Sequence, residues 1–437
     1  MEQLELIPDT RSLFEKLCNT AYLRRGFRAV KSNGGAPGID RVTTGEYEKR
    51  LEEELAHLKK ELEGWSYEPK PVRRVEIPKP GGSGVRLLGV PCIRDRVVQA
   101  TLKLLLEPVI DPNFSTNSYG FRPGRNQRQA VEAAREIVRG GKEYVVDIDL
   151  SKFFDRVNHD RLIARLKGFI DDTRILRIIG MTLRSGVMVE GMVEATEKGT
   201  TQGSPLSPLL SNVVLDELDK ELERRGLEFC RYADDCNIFV GSKKAAERVM
   251  SGISKFIEKK LRLVVNQEKS KIALSKCVKF LGMTVIAGTL AISLQSMQRA
   301  MDKVKELTPR GTHQTLEQTI EEINKWYTGW TGYYEMTQYP TQLGKIEAHI
   351  RRRLRARIID QQKNRRNLCR LLVKRGVLRS RASTAVYSNK KRWALSHTRA
   401  VEMAFPNRWF IKVLGQRIRS DDILPHWFSD GRYIKMA

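Results

Sequence analysis

The ten residues RYADDCNIFV, 231–240, set two adjacent carboxylates between two runs of strand-forming residues. Leu227 to Tyr232 and Asn237 to Val240 are rich in β-branched and aromatic types, which predicts a hairpin with Ala233, Asp234 and Asp235 as its tight connection. Aspartate is a common turn residue, so a solvated surface turn accounts for the pair taken alone. The surrounding chain decides whether anything more is required.

Working outward, EYVVDIDLSKFFDRVNHD (143–160) holds another strand, Tyr144 to Leu150, buried in character yet carrying Asp147 and Asp149. Further upstream, VRRVEIPK (72–79) and VRLLGVP (85–91) read as strands flanking the glycine-rich PGGSG, a hairpin with a basic tip. Helical periodicity covers Arg94 to Leu106 and Gln127 to Arg139, with the loop FSTNSYGFRPGRN (114–126) between them. VMVEGMVEATEKG suggests one more hairpin, and GTTQGSPLSPLLSN (199–212) leads into a long amphipathic helix. Alternation of strand and helix over 70–290 predicts an α/β core with a mixed or antiparallel sheet. Residues 1–65 read as helical around the loop KSNGGAPGID (31–40). From Ser293 the chain turns helical and very basic, with NKWYTGWTGYY (324–334) and RRRLRARI (351–358), which puts a domain boundary near 290–295.

Composition narrows the partners. Across 437 residues, 78 Lys and Arg against 52 Asp and Glu leave a formal charge of +26. Such an excess repels itself in isolation and points to a polyanion. No run of about 18 apolar residues spans a bilayer and MEQLELIPDT lacks a signal pattern, so nucleic acid is favoured over membrane and a cytoplasmic location is expected. The six cysteines are scattered without a C-x-x-C pair, which argues against a zinc ribbon or a disulfide framework. Cys230 and Cys236 bracket the hairpin and leave a local bridge open. The six histidines are dispersed, with no H-E-x-x-H or H-N-H-like cluster.

Two carboxylate-bearing strands in one core change the reading of Asp234 and Asp235. Nucleotidyl transfer uses two Mg²⁺ ions about 3.5–4 Å apart, and magnesium prefers carboxylate and water oxygens. Asp149 at a strand end, facing a hairpin with Asp234 and Asp235, would supply such a site. A strand-end cap or a salt bridge is the alternative for Asp149.

Here a family resemblance appears. Tyr232-Ala233-Asp234-Asp235 resembles the catalytic box of reverse transcriptases, and Asp149 with Phe154 resembles that family's first metal-binding motif. SYGFRPGRN (118–126), TQGSPLSPLLSN (201–212), IPKPGGSGVRLLGVP (77–91) and GGAPGIDRV (34–42) are similar to motifs of bacterial group II intron reverse transcriptases, also called maturases. INKWYTGWTGYY followed by RRRLR resembles the thumb, or X, domain of that family.

The resemblance implies an α+β right-hand polymerase fold. It would comprise an N-terminal extension and start of the fingers (1–65), fingers and an antiparallel palm (66–290), a helical thumb (291–400) and a short basic extension (401–437). It implies that Asp149, Asp234 and Asp235 hold two Mg²⁺ ions, and that Phe154 lies under the sugar of the incoming dNTP and disfavours a 2′-hydroxyl. Lys79 and Arg86 would clamp the triphosphate, Gln202 and Gly203 would approach the nascent base pair, and Lys269 would protonate the leaving pyrophosphate. Tyr232 would pack near the primer end, with a core tyrosine as the other reading. The implied partners are group II intron RNA, an RNA template with its DNA primer, and target DNA; homodimerisation is left open.

One departure matters. The cysteines and histidines do not support the H-N-H endonuclease of many members, so the compact class is expected, its DNA primer coming from elsewhere. Two other functions remain open: an RNA-binding splicing cofactor, against which the full carboxylate set argues, and a domesticated relative acting in DNA repair synthesis. The remaining basic surface is expected to hold template and primer through phosphates, with little base preference. Arg351, Arg352, Arg353, Arg355 and Arg357 span nearly two turns, so some must face away from any one duplex. Trp326, Trp330, Tyr333 and Tyr334 are spaced like a buried helix face.

Overall fold

The computed structural model describes residues 11–78, 84–189, 192–194, 198–200, 203–362 and 364–410. The chain divides into two compact units, with the boundary between Leu274 and Ser275. In the first, helices α1 (Leu13–Leu17), α2 (Thr20–Asn33), α3 (Thr44–Lys49) and α4 (Leu51–Glu63) precede strands β1 (Val72–Pro78) and β2 (Val85–Val90). Helices α5 (Ile93–Ile110) and α6 (Gln127–Arg139) then lead to β3 (Tyr144–Ile148). After α7 (Phe153–Arg156), α8 (His159–Leu166) and α9 (Thr173–Leu183) come β4 (Val187–Val189) and β5 (Met192–Glu194). The unit closes with α10 (Ser207–Arg224), β6 (Glu228–Tyr232), β7 (Asp235–Val240), α11 (Lys243–Phe256) and β8 (Lys271–Leu274).

Two four-stranded sheets organise this unit. One has the order β2-β1-β4-β5, with β1 and β2 antiparallel from Arg73 opposite Val90 to Pro78 opposite Val85. The other, β6-β7-β3-β8, is antiparallel throughout, as the hairpin and strand patterns predicted. Alternation along β3 and β7 gives its faces their characters. Val146, Ile148 and Leu150 join Cys236, Ile238 and Val240 in the core beneath the helices, which leaves Asp147, Asp149, Asp235 and Asn237 on the opposite face.

Local chemistry fixes the helix ends. Asn126 and Gln129 form a reciprocal capping box at the start of α6, whose limits match the sequence reading. Helix α10 starts with a proline in its first turn.

The second unit contains the antiparallel pair β9 (Met283–Ile286) and β10 (Thr289–Ile292) and helices α12 (Leu294–Leu307), α13 (Leu316–Tyr334) and α14 (Pro340–Asp360). Four shorter helices follow, α15 (Arg365–Lys374), α16 (Arg379–Val386), α17 (Arg392–Leu395) and α18 (Arg399–Ala404). The β9–β10 pair belongs with the helical unit, ahead of the compositional change at Ser293. Leu290 N–H donates to the Gln338 side chain at 2.9 Å, and Gln342 bonds both backbone groups of Ile292.

On α13 the buried face is Ile320, Ile323, Tyr327 and Thr331. Trp326, Trp330 and Tyr334 form a half-buried stack beside it, with Trp330 and Tyr334 centroids 4.5 Å apart. The tyrosine hydroxyls of 333 and 334 donate to Leu281 O and Ser296 Oγ. Among the described residues no helix is long and apolar enough to cross a membrane.

Candidate active site

The hairpin β6–β7 closes with Tyr232 paired to Asp235, so its loop is two residues, Ala233 and Asp234, and Asp235 opens the second strand. Short hairpins need a residue of positive φ to match the strand twist. Ala233 takes that role at φ 56°, an unfavourable conformation for a residue with a Cβ. It leaves Asp234 at the tip.

Strand β3 delivers Asp149 to the same end of the sheet. The last β3–β7 pair is Ile148 opposite Cys236, and the same register continued one position sets Asp149 opposite Asp235. Asp149 is held by its backbone: its N–H donates to Ser270 Oγ at 3.0 Å and its carbonyl accepts from Asn266 N–H at 2.9 Å. Lys269 sits between those two residues, exposed, in a turn closed by Ser270 N–H on Asn266 O at 2.8 Å.

Electrostatics bring Asp149, Asp234 and Arg86 together. Burial raises the Asp234 pKa, the Asp149 charge raises it further, and Arg86 and Arg231 pull against that rise. Two carboxylates, one of them partly desolvated, are a costly arrangement without a cation between them. The donor set is hard oxygen, which suits Mg²⁺, an ion that retains several waters and uses one or two carboxylates plus substrate phosphates. Among the described residues no group of three His, Cys, Asp or Glu side chains is preassembled around an ion. The fit therefore rests on the Asp149–Asp234 pair, with Asp235 alongside.

Phe154 lies on α7, edge-on to buried Phe153 at 5.2 Å. It lines a cavity of about 210 Å³ with Arg74, Leu87, Leu88 and Gly89 of the β1–β2 hairpin. Gly203 belongs to the same neighbourhood. At φ 114°, any Cβ there would stand 2.8 Å from Gly89 O. Arg86 is exposed on β2. Lys79 and Gln202 lie outside the described residues. A larger open cleft of about 460 Å³, among Asp40, Tyr47, His57 and Arg94, contains none of these residues.

Two readings are resolved by register. Cys236 is opposite Arg231 in the hairpin, so Cys230, one position away, points to the other face, and both thiols are free. The arginine run on α14 is mostly interior: Arg351, Arg355 and Arg357 are buried. Arg355 donates to Phe405 O and Asn407 Oδ1, and Arg357 donates to Gln314 O. Arg353 bonds Thr308 and Arg352 stacks on Trp393 at 4.0 Å. The stretch reads as a nucleic-acid surface by composition and folds as the internal brace of the helical unit.

The sequence reading does not single out Arg231, whose side chain is fully buried directly beside the Ala233–Asp234 loop. A signal was available: a guanidinium inside the apolar run of β6 must find partners.

The reverse transcriptase (RNA-dependent DNA polymerase) family pattern matches residues 77–285, and the group II intron maturase-specific domain matches residues 297–375. Protein YkfC of Escherichia coli is 32% identical over 300 residues, covering 60% of this chain and 78% of YkfC. The group II intron-encoded protein LtrA of Lactococcus lactis is 30% identical over 223 residues, 51% of this chain and 36% of LtrA. Apo telomerase from Candida tropicalis overlays with a TM-score of 0.45 and 13% identity, covering 83% of this chain and 69% of that one. With both the polymerase and the maturase-specific patterns present in order, and a relative of this identity matched over most of its length, the chain belongs to the group II intron-type reverse transcriptases.

Proposed function

We propose that the chain extends a DNA primer on an RNA template, with Asp149 and Asp234 as the metal-binding carboxylates and Asp235 as ligand or support. The observation that carries this is the meeting of a desolvated Asp234 with Asp149 and Arg86 at one end of an antiparallel sheet. When bound, two Mg²⁺ ions activate the attacking hydroxyl and stabilise the leaving phosphate. The chain's own groups do the rest. Asp149 and Asp234 hold negative charge at fixed positions; Arg86, with Lys79, offsets charge on the triphosphate. Phe154, walled by the β1–β2 hairpin, crowds the 2′ position of the incoming sugar. Lys269, in the turn against Asp149, donates the proton to pyrophosphate.

Primer extension on an RNA template tests this. Wild type extends with deoxynucleotides; Asp234→Ala, or chelation of Mg²⁺, lowers the rate by about 10³-fold or more, as loss of a principal charge-stabilising group does. Full activity in Asp234→Ala overturns it. Phe154→Val admits ribonucleotides that wild type rejects.

The maturase-specific match favours a second, compatible role: binding of group II intron RNA in splicing, with copying of that RNA at target DNA during retrohoming. Splicing of a group II intron transcript by Asp234→Ala protein separates this role from polymerisation.

A further inference from the structure

Arg231 uses every donor it has. Its Nε donates to Asp219 Oδ1 at 2.7 Å, and Nη2 to Asp219 Oδ2 at 2.6 Å and Ser118 Oγ at 2.7 Å. Nη1 donates to Asn212 Oδ1 at 3.0 Å and to Ala233 O at 2.9 Å. A guanidinium carries five N–H bonds, and all five are filled. Both members of the Arg231–Asp219 pair are completely buried.

The four partners come from three segments. Asp219 and Asn212 lie on α10, and Ser118 opens the loop 118–126. That loop is stitched to β6 by its backbone too: Arg231 N–H donates to Asn117 O, and Tyr119 N–H donates to Arg231 O, both at 2.9 Å. Asn212 Nδ2 donates to Gly120 O at 2.9 Å, and a Cβ on Gly120 would collide with the backbone N of Ala233. Three sequence motifs thus converge on one strained residue, Ala233, whose left-handed φ fixes where Asp234 points.

We infer that Arg231 is a positioning residue for nucleotidyl transfer: by gripping the Ala233 carbonyl it locks the left-handed turn and so sets the aim of the Asp234 carboxylate. The functional part rests on the reading of Asp149 and Asp234 as metal ligands, while the lock itself does not. The Nη1 bond holds the Ala233 carbonyl against relaxation of a disfavoured φ.

The test uses the full chain as Arg231→Lys and Ser118→Ala, each compared with wild type. Lysine keeps the charge but can fill at most three of the five bonds. Ser118→Ala removes one acceptor while leaving Asp219 and Ala233 bonded. Hydrogen–deuterium exchange is read at the Ala233 and Asp234 amides and, as reference, along β3 and β8. Mn²⁺ binding is read by electron paramagnetic resonance with a chain-terminated RNA–DNA duplex.

In Arg231→Lys the expected result is exchange at 233–234 faster by about tenfold, the cost of one hydrogen bond, with β3 and β8 unchanged. Mn²⁺ affinity falls by about five- to tenfold and duplex affinity holds within twofold. Ser118→Ala, which keeps the Nη1–Ala233 bond, leaves exchange at 233–234 within about twofold of wild type. Unchanged exchange at 233–234 in Arg231→Lys overturns the lock. Exchange rising equally across the sheet also overturns it, making Arg231 a general staple. Should Arg231→Lys not fold, Arg231→Gln with Asp219→Asn, which leaves no buried charge and gives up the Nη1–Ala233 bond, decides by the same readouts. If wild type binds no Mn²⁺ while the local exchange effect is present, the lock stands and the metal-ligand reading fails.

Discussion

The two units each bury an arginine against a carboxylate, and the two pairs could hardly be built more differently. Arg231 meets Asp219 through two bonds of 2.6–2.7 Å and fills its remaining donors with Asn212, Ser118 and Ala233. Arg351 stands 3.8 Å from Glu347, whose Oε2 has no hydrogen-bond partner among the described residues and whose Oε1 accepts from the Tyr327 hydroxyl at 2.9 Å. Burial works against the Arg231 charge, yet the Asp219 carboxylate more than offsets it and the pKa of Arg231 rises. Burial still raises the Asp219 pKa, so the first pair is split, whereas in the second burial wins on both sides: it pushes Glu347 up to about 7 and Arg351 down. The lesson is that a buried ion pair is held together by its accompanying hydrogen bonds, because Coulomb attraction alone rarely recovers the cost of leaving water.

The comparison breaks most visibly on truncation. Arg231→Ala leaves Asp219 buried and uncompensated, and the expected loss is about 3–5 kcal/mol of stability, together with polymerase activity. Urea denaturation followed by primer extension measures both. An unchanged midpoint would put the two pairs on the same footing.

Next comes pH. The Glu347 pKa is raised on folding, so its protonated form is favoured in the native state. Its contribution is fully present below about pH 4.5, the usual value, and is lost as pH rises through about 7. The amplitude is about 3 kcal/mol. Thermal melting of the full chain between pH 5 and 8 reads it.

Smaller still is the effect of replacing whole pairs. Glu347→Leu with Arg351→Met removes two buried charges but leaves the Tyr327 hydroxyl unbonded at about 1–3 kcal/mol; it should stay within about 2 kcal/mol of wild type at pH 8 and flatten the pH profile. Asp219→Leu with Arg231→Met should instead lose stability, since the Ala233 carbonyl, Ser118 and Asn212 are left unbonded at about 1–3 kcal/mol each. Ser118→Ala alone should cost about 1 kcal/mol. Equal outcomes for the two double replacements would refute the distinction.

Much of the sheet was legible because its signals are local. The β6–β7 hairpin, the buried β3 and the limits of α6 follow from alternation, periodicity and capping within about a dozen residues. The two carboxylates that meet, Asp149 and Asp234, were legible from motif and strand position. The hub was not, since Ser118 and Arg231 are 113 positions apart and Asn212 and Gly120 are 92 apart. No local pattern encodes such a convergence; what could be read was an arginine in an apolar strand. Composition misled at RRRLRARI, where charge suggested a surface and the acceptors that bury it, Phe405 O, Gln314 O and Thr308, are supplied from distant segments.

That internal brace has a consequence for how the protein responds to salt. Binding to a polyanion weakens with ionic strength in proportion to the counterions its phosphate contacts release. A guanidinium already turned inward releases none. Arg351, Arg355 and Arg357 are counted in the formal +26 but are withdrawn from that exchange. The slope of log affinity against log salt will therefore draw on exposed cations and will be indifferent to Arg351, Arg355 and Arg357, three of the arginines most conspicuous in the sequence.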